Sequence, residues 1–267
     1  MGRAVDTVLT FSTQGAAAAF PTALAAAPGD MLQIRSFDRS KNAYLESVIY
    51  SAGGGQKGRV LSPMMHDNVT GLTFQPAEVP SQWSLPPGAA VELVPADTLQ
   101  ASGAIAAAGT ILMALVNYYE ELDGADARLH SWPDIRGLIK YIKSFEVDLA
   151  AVAVGAWTDT LITATENQLH ADAHYAILGY NVSAAVDVVG FKGSATGNLR
   201  ICGPGPTSTL DITNYFIYES ERSGRPHIPV FNSNDRNAFF VSAAHHAAIA
   251  GGAASVYPIV AQLHRKT

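Results

Sequence analysis

The stretch YAILGYNVSAAVDVVGFKGSATGNLRICG, residues 175–203, has the pattern of three successive β-strands. An earlier stretch, YLESVIYSAGGGQKGRVLSPMMHDNVTGLTF at residues 44–74, has the same layout. In both, a strand opens on a tyrosine, reaches a second tyrosine five or six residues later, and is followed by a second β-branched run. An Asn and a Gly then lie close together before a last short apolar strand. The similarity indicates that the same series of β-strands occurs twice in the chain.

The similarity continues further along the chain. ADTLQASGAIAAAGTILMALVNYY, residues 96–119, resembles NDRNAFFVSAAHHAAIAGGAASVYPIVAQL, residues 234–263. Each has a polar strand, an Ala/Gly spacer and a closing apolar strand. The offsets between equivalent positions are 175−44=131, 235−97=138 and 256−112=144, so they grow slowly. The sequence therefore predicts two tandem copies of one β-domain, with insertions in the second.

Composition sets the broad class of the protein. A chain of 267 residues, 48% apolar and 15% charged, is a folded chain that can bury one large core or two cores of about 120 residues each. The 17 basic and 23 acidic residues give a formal charge of −6, and no run of Lys or Arg occurs. A surface that neutralises phosphates needs such runs, so we predict no direct sequence-specific binding of nucleic acid.

The single cysteine and the apolar segments indicate the cellular compartment in which the protein is made. Cys202 has no internal disulfide partner and is predicted to be a buried structural thiol. No stretch reaches the ~20 apolar residues that span a bilayer. Residues 15–27 resemble the core of a signal peptide, but Pro21 interrupts them and the single preceding Arg is balanced by Asp6. We therefore expect synthesis in the cytoplasm.

The remaining elements give the domain plan. Residues 6–12 alternate like a short strand, and GDMLQIRSF at residues 29–37 alternates like a half-buried strand. Residues 76–95, with five prolines, are predicted to form a long loop. A helix is predicted over 131–144, with Ser131 as N-cap and with apolar residues at helical spacing at Ile135, Leu138, Ile139 and Ile142. A second helix is predicted over 211–222. About eight strands per copy predict an all-β chain of two tandem eight-stranded jelly rolls joined by a short helical linker. The predicted boundaries are an N-terminal arm (1–28), a first roll (29–124), a linker with a helix (125–144) and a second roll (145–267).

No pattern for catalysis or metal binding emerges. His170 and His174 would lie roughly 13 Å apart on a strand, and the adjacent His245 and His246 would point to opposite faces. We interpret these residues as strand-end or interface histidines. A polar turn explains the Asn-rich segment 232–237 better than a calcium site does, and no GxSxG element is present. The sequence thus predicts a protein that is not an enzyme and has no cofactor or metal.

The aromatic residues at predicted strand edges are the remaining functional candidates. They are Trp83, Tyr118, Tyr119, Trp132 and Trp157. Such residues serve either as anchors of subunit interfaces or as platforms for sugar rings. No polar cluster accompanies the tryptophans to bind sugar hydroxyls, so we predict that these five residues are subunit-interface anchors.

The internal repeat, the Ala-rich composition and the loops NSNDRN (232–237) and TGNLRICGPG (196–205) resemble the double jelly-roll major capsid proteins of tailless, internal-membrane icosahedral phages. The resemblance covers residues 29–264 and rests on the repeat. It implies a homotrimer that forms a pseudo-hexameric capsomer and contacts neighbouring capsomers and minor capsid proteins. It also implies a place in the virion, with the N-terminal arm against a neighbour or an internal membrane.

Two alternatives stay open at the level of sequence. A virion decoration or spike protein would share the sandwich fold and the trimer but would not form shells. A carbohydrate-binding or cupin-like jelly-roll protein would instead bind glycans or a transition metal.

Overall fold

The computed structural model describes two parts of the chain at different depth. Between residues 2 and 122 it describes the backbone of nine strands. Between residues 129 and 264 it also describes the side chains, except at 154–155, 163–168, 185, 194–200, 207–211, 225, 235–238 and 246. The chain divides into two compact units, an N-terminal unit of residues 6–121 and a C-terminal unit formed by residues 1–5 and 122–267.

Nine strands form two sheets before residue 123. They are β1 (Gly2–Thr13), β2 (Ala18–Ala23), β3 (Ala43–Ala52), β4 (Gly58–Leu61), β5 (Leu72–Phe74), β6 (Ser81–Ser84), β7 (Val91–Leu93), β8 (Gln100–Ile105) and β9 (Ile111–Leu122). One sheet has the order β1-β9-β3-β6, and β7 also pairs with β3. The other has the order β2-β8-β4-β5.

The described residues of the C-terminal unit form ten strands and two short α-helices. They are β10 (Leu129–His130), α1 (Trp132–Ile135), β11 (Ile139–Ser144), β12 (Val147–Asp148), β13 (Thr158–Leu161), β14 (His174–Val182), β15 (Val188–Lys192), β16 (Ile201–Pro204), α2 (Tyr215–Ser223), β17 (Ile228–Asn232), β18 (Phe240–Ala244) and β19 (Ser255–Leu263). A six-stranded sheet has the order β10-β17-β14-β19-β11, with β12 also on β19. A four-stranded sheet has the order β13-β18-β15-β16.

The strand orders of the two units correspond. The path β1-β9-β3-β6 matches β11-β19-β14-β17, and β2-β8-β4-β5 matches β13-β18-β15-β16. The repeat found in the sequence lies on equivalent strands, because residues 44–74 contain β3–β5 and residues 175–203 contain β14–β16. All strand pairs whose registers are described are antiparallel. The fold is thus mostly antiparallel β-sheet with few helices, a β-sandwich of the jelly-roll type.

Aromatic side chains join the two sheets of the C-terminal unit. The ring of Tyr180 on β14 lies 5.7 Å from that of Phe191 on β15, in the other sheet. Phe231 on β17 stacks at 4.3 Å on Phe239, which directly precedes β18. Offset and edge-on pairs of this kind add roughly 0.5–1.5 kcal/mol each beyond the burial of their area. These pairs therefore form the centre of the core.

Helix α2 closes the aromatic core. Phe216 lies 6.1 Å from Tyr180 and 5.8 Å from Phe191, measured between ring centroids. The helix ends at Gly224, whose φ of 66° is the left-handed conformation that glycine adopts without strain. The helix predicted over 211–222 is confirmed, and it lies in the β16–β17 connection, which corresponds to the proline-containing β5–β6 connection of the first unit.

The helix predicted over 131–144 is much shorter in the structure. Ser131 and Asp134 form a capping box and start α1, but the helix ends at Ile135 and a single 3-10 turn follows over Arg136–Leu138. Residues 139–144 then form β11, which pairs with β19. Pairing with a distant strand overrides the local helical spacing, because β11 gains a ladder of backbone hydrogen bonds that only the tertiary structure supplies.

Two further expectations differ from the structure. Residues 1–28, expected to form an arm, contribute β1 and β2 to the two sheets, and the alternation noted at residues 6–12 lies within β1. The proline-rich segment 76–95 contains the short strands β6 and β7, and its prolines fall outside both strands. The strand expected at 29–37 lies outside the described residues.

The buried phenol of Tyr180 makes stability sensitive to alkaline pH. Burial, with smaller contributions from nearby Cys202 and Glu219, raises the pKa of Tyr180 well above 10. Because the folded-state pKa exceeds the unfolded one, this contribution to stability is fully present below about pH 10 and is lost progressively at higher pH. We expect the Tm of the unmodified chain to fall more steeply above about pH 10 than that of Tyr180→Phe, measured by thermal unfolding. Parallel slopes for the two proteins would contradict this assignment.

Candidate assembly surface

The edge strand β11 carries the most exposed large apolar side chain among the described residues. Ile142 is 56% exposed, and its Cα partner across the sheet is Ala261 of β19. Ala261 is paired in turn with Ala176 of β14, and Ala176 with Val230 of β17. Residues that are directly opposite in a ladder share a face of the sheet. An apolar row therefore crosses four strands on one face. Ala176 and Ala261 are fully buried, and Ile142 at the end of the row is its most exposed member.

The next residue, Lys143, shows that this row lies on the face away from the core. Its ammonium lies 5.9 Å from the ring centroid of Tyr175, which stacks on the core residue Phe231. Partial burial lowers the pKa of Lys143. Since neighbouring residues on a strand point to opposite faces, Ile142 lies on the outer face. An inward-pointing lysine on an edge strand opposes pairing with a further strand, so a partner would contact the outer face and not the edge.

Two other large apolar side chains are exposed in the described part of the C-terminal unit. Leu161 is 38% exposed at the end of β13, an edge strand of the four-stranded sheet. Tyr218 is 48% exposed on α2. Neither was singled out by sequence analysis. Ile142 was assigned to the helical apolar spacing, which gave no signal that it would be exposed on a strand.

The five aromatic interface candidates lie in both units. Trp83 lies on β6, which ends one path of the N-terminal sheet, and its Cα partner is Val48. Tyr118 and Tyr119 lie on β9 between β1 and β3. Trp132 begins α1, is half-buried, and donates its backbone N–H to the hydroxyl of Ser220 on α2 at 3.0 Å. Trp157 is half-buried immediately before β13. Their role as interface anchors stays a prediction.

The histidines weighed as metal ligands occupy separate positions. His170 precedes β14, and its ring lies 6.0 Å from that of Tyr141, while His174 begins β14 and is exposed. Nδ1 of His245 lies 3.2 Å from the carboxylate of Asp187, and both side chains are buried. His246 lies outside the described residues. Among the residues that were described, no three His, Cys, Asp or Glu side chains are grouped so that they could hold a metal ion.

The structure also describes Cys202 and part of the predicted polar turn at residues 232–237. Cys202 is buried on β16, which confirms that prediction. Asn232 accepts a hydrogen bond from the backbone N–H of Asn234 at 2.9 Å, as a polar turn requires. Residues 235 and 237 of the same segment lie outside the described residues. In the described part of the chain, no helix has the length and apolar character to cross a bilayer.

Comparisons with known proteins find only distant similarity. No family model matches the sequence, and no curated protein does. Among solved structures, the virus-like particle of the extra small virus of the prawn Macrobrachium rosenbergii is 15% identical and covers 45% of this chain and 80% of that one, with a TM-score of 0.25. The major capsid protein P2 of bacteriophage PM2 is 10% identical over 99% of each chain, with a TM-score of 0.25. An archaeal virus protein with a triple jelly-roll fold is 10% identical over 98% of this chain and 57% of that one, with a TM-score of 0.23. Scores this low carry no argument about fold or function.

Proposed function

We propose that the chain is a tandem double jelly roll and acts as a structural virion protein, a major capsid protein whose trimers form pseudo-hexameric capsomers. Its partners would be two further copies of itself, neighbouring capsomers and minor capsid proteins, and its place would be the virion. The role is not enzymatic. We place the first roll between β1 and β9 and the second between β11 and β19. Since residues 1–28 supply strands, the proposal assigns them no contact with a membrane.

One observation carries the proposal, and it is the repeated order of strands. The eight main strands of the C-terminal unit are β11 and β13–β19. When they are numbered one to eight along the chain, the first pairs with the eighth, the second with the seventh, the third with the sixth and the fourth with the fifth. The eighth also pairs with the third, and the seventh with the fourth. This is one long hairpin rolled into two sheets, the connectivity that defines a jelly roll. The N-terminal unit has the same order.

Duplication of such a unit suits the building of a closed shell. A trimer of chains that each contain two equivalent units presents six similar edges around one axis. Chains with a single unit would need a hexamer to present the same six edges. The exposed Ile142 on the outer face of the six-stranded sheet supplies an apolar contact for a neighbour. The absence of basic runs fits a shell that does not itself condense a genome.

The state of assembly of the purified protein tests this function. We expect size-exclusion chromatography with light scattering to give three times the monomer mass, and electron microscopy to show shells or flat sheets of capsomers. A stable trimer that never assembles further would favour a decoration or spike protein. A strictly monomeric protein that binds a glycan array would contradict any role in a shell and favour a carbohydrate-binding protein.

A single substitution tests the outer face of the six-stranded sheet. We expect Ile142→Glu to weaken association between copies at least about tenfold, because burial of a new carboxylate in an apolar contact is unfavourable. The Tm of the monomeric unit should stay unchanged, since Ile142 is exposed. Tyr218→Glu, at a comparably exposed apolar site outside the row, is the matched control and should assemble normally. Equal assembly of both variants in light scattering would exclude this face from the interface.

A further inference from the structure

A cavity of about 630 Å³ lies in the C-terminal unit, between the helical segment around α1 and the outer face of the six-stranded sheet. Ile135 and Leu138 line it from the helical segment, and Val230 and Leu263 line it from the sheet. These four side chains make apolar walls. The volume lies within the range of roughly 300–1,000 Å³ that small-molecule sites occupy.

The polar lining of this cavity is dominated by imidazoles. His130, His174 and His264, three of the eight histidines of the chain, line it together with Asp134. They come from distant parts of the sequence and meet through the sheet and the helical segment. His174 is paired with Leu263, the neighbour of His264. The backbone N–H of His264 donates to the carbonyl of Leu138 at 2.7 Å.

The one carboxylate of the lining is already engaged. Oδ2 of Asp134 accepts hydrogen bonds from the hydroxyl of Ser131 at 2.5 Å and from its backbone N–H at 3.3 Å. These bonds belong to the capping box that starts α1. Three histidines therefore line the cavity alongside a carboxylate that accepts hydrogen bonds from donors of its own segment.

This lining selects a particular class of ligand. A neutral imidazole offers one N–H donor, and a protonated imidazole offers two donors and a positive charge. Donors of this kind suit an anionic head, and the apolar walls suit a short hydrocarbon chain. We propose that the cavity binds a small amphiphilic anion, meaning a short apolar chain with a carboxylate, sulfonate or phosphate head, and that binding strengthens as the pH falls. The proposal does not depend on a role in a capsid.

The direction of the pH dependence follows from the charges of the lining. Protonation of an imidazole adds a second N–H donor and a positive charge, so an anion bound beside these histidines gains charge-assisted contacts as the pH falls. Asp134 is the only carboxylate among the described lining residues, and its Oδ2 accepts hydrogen bonds from Ser131. Charge-assisted hydrogen bonds are about twice as strong as neutral ones. We therefore expect an anion of fixed charge to bind about tenfold more tightly at pH 5.5 than at pH 8.

Isothermal titration calorimetry on the full chain tests the proposal with octanesulfonate, whose head stays ionised at both pH values. The titrations are made below its micelle concentration. Octyltrimethylammonium, with the same chain and the opposite charge, is the comparison ligand. We expect octanesulfonate to bind with one ligand per chain and with tighter binding at pH 5.5, and we expect the ammonium compound to bind at least about tenfold more weakly at that pH.

Variants locate the site. The double variant His174→Gln/His264→Gln changes two of the three lining histidines, both exposed, so it should keep the fold and lose most of the pH dependence. Val230→Phe fills the cavity and should weaken binding at both pH values. His170→Gln changes an exposed histidine outside the lining and is the matched control, with binding like the unmodified chain. Circular dichroism and thermal unfolding check that each variant is folded.

Several results would overturn the proposal. They are no binding at either pH, binding only at micellar concentration, equal affinity for the cationic amphiphile, or binding that survives both the double histidine change and Val230→Phe in folded protein. Because shells and trimers are scored separately by microscopy and light scattering, failure of ligand binding leaves the proposed capsid function untouched. If the protein formed neither trimers nor shells, calorimetry would still test ligand binding in the cavity.

Discussion

Replacing Tyr180 by alanine is expected to lower the free energy of unfolding of the C-terminal unit by about 3–5 kcal/mol. The side chain is 0% exposed and lies among Phe191, Tyr215 and Phe216 at centroid distances of 5.7–6.1 Å. Its hydroxyl donates to the carbonyl of Pro204 on the opposite sheet at 2.6 Å. Alanine would leave a cavity between the two sheets and a buried carbonyl without its donor, and urea unfolding monitored by circular dichroism measures the loss.

Two further variants separate these effects. Tyr180→Phe keeps the ring and removes only the hydroxyl, so we expect a loss of about 1–2 kcal/mol. Tyr218→Ala, on α2 at a side chain 48% exposed, should stay within about 0.5 kcal/mol of the unmodified chain. If Tyr180→Ala were no more destabilised than Tyr218→Ala, Tyr180 would not be the residue that joins the two sheets.

Replacing Arg222 by methionine is expected to lower the free energy of unfolding by about 3 kcal/mol or more. Nη2 of Arg222 lies 2.6 Å from Oε2 of Glu219, one turn earlier on α2, and its Nε donates to the same oxygen at 3.2 Å. Glu219 is only 3% exposed. Burial lowers the pKa of Arg222, but its hydrogen bonds to Glu219 outweigh this and the pKa is raised. The variant leaves a buried carboxylate without its guanidinium partner.

The matched control for this variant is Arg136→Met, on the exposed 3-10 turn after α1. It removes the same charge from the surface and should change stability by less than about 0.5 kcal/mol. The double variant Glu219→Leu/Arg222→Met should recover most of the loss, because an apolar pair of similar volume avoids the unpaired charge. A double variant as unstable as Arg222→Met alone would show that packing, and not the charge pair, determines the effect.

The repeat was visible in the sequence because strands repeat their side-chain pattern locally. Residues 44–74 and 175–203 each have two tyrosines, small residues and β-branched runs at similar spacing, and both fold into three consecutive strands. Helix α2 was also predictable, since Gly224 follows its last residue and provides the left-handed stop. Cys202, beside the GPGP segment, was correctly expected to be buried.

Other features depended on partners far away in the sequence. The spacing of apolar residues at 135–142 fits a helix, but residues 139–144 join β19, about 120 positions later. The Ala-rich residues 18–23 have weak local preference and become β2 by pairing with β8. The three histidines of the cavity lie at positions 130, 174 and 264, and no local motif links them.

The sequence by itself determined that the chain is built mostly of β-strands, that one arrangement of strands occurs twice, and that a helix precedes Gly224. These properties follow from short-range alternation, turn residues and caps, which neighbouring residues encode. Only the tertiary structure decided that Ala18–Ala23 is a strand of a sheet, that Ile142 is exposed on an edge strand, and that three histidines line one cavity. Each of these depends on hydrogen bonds and packing between strands distant in sequence, whose register no local pattern specifies.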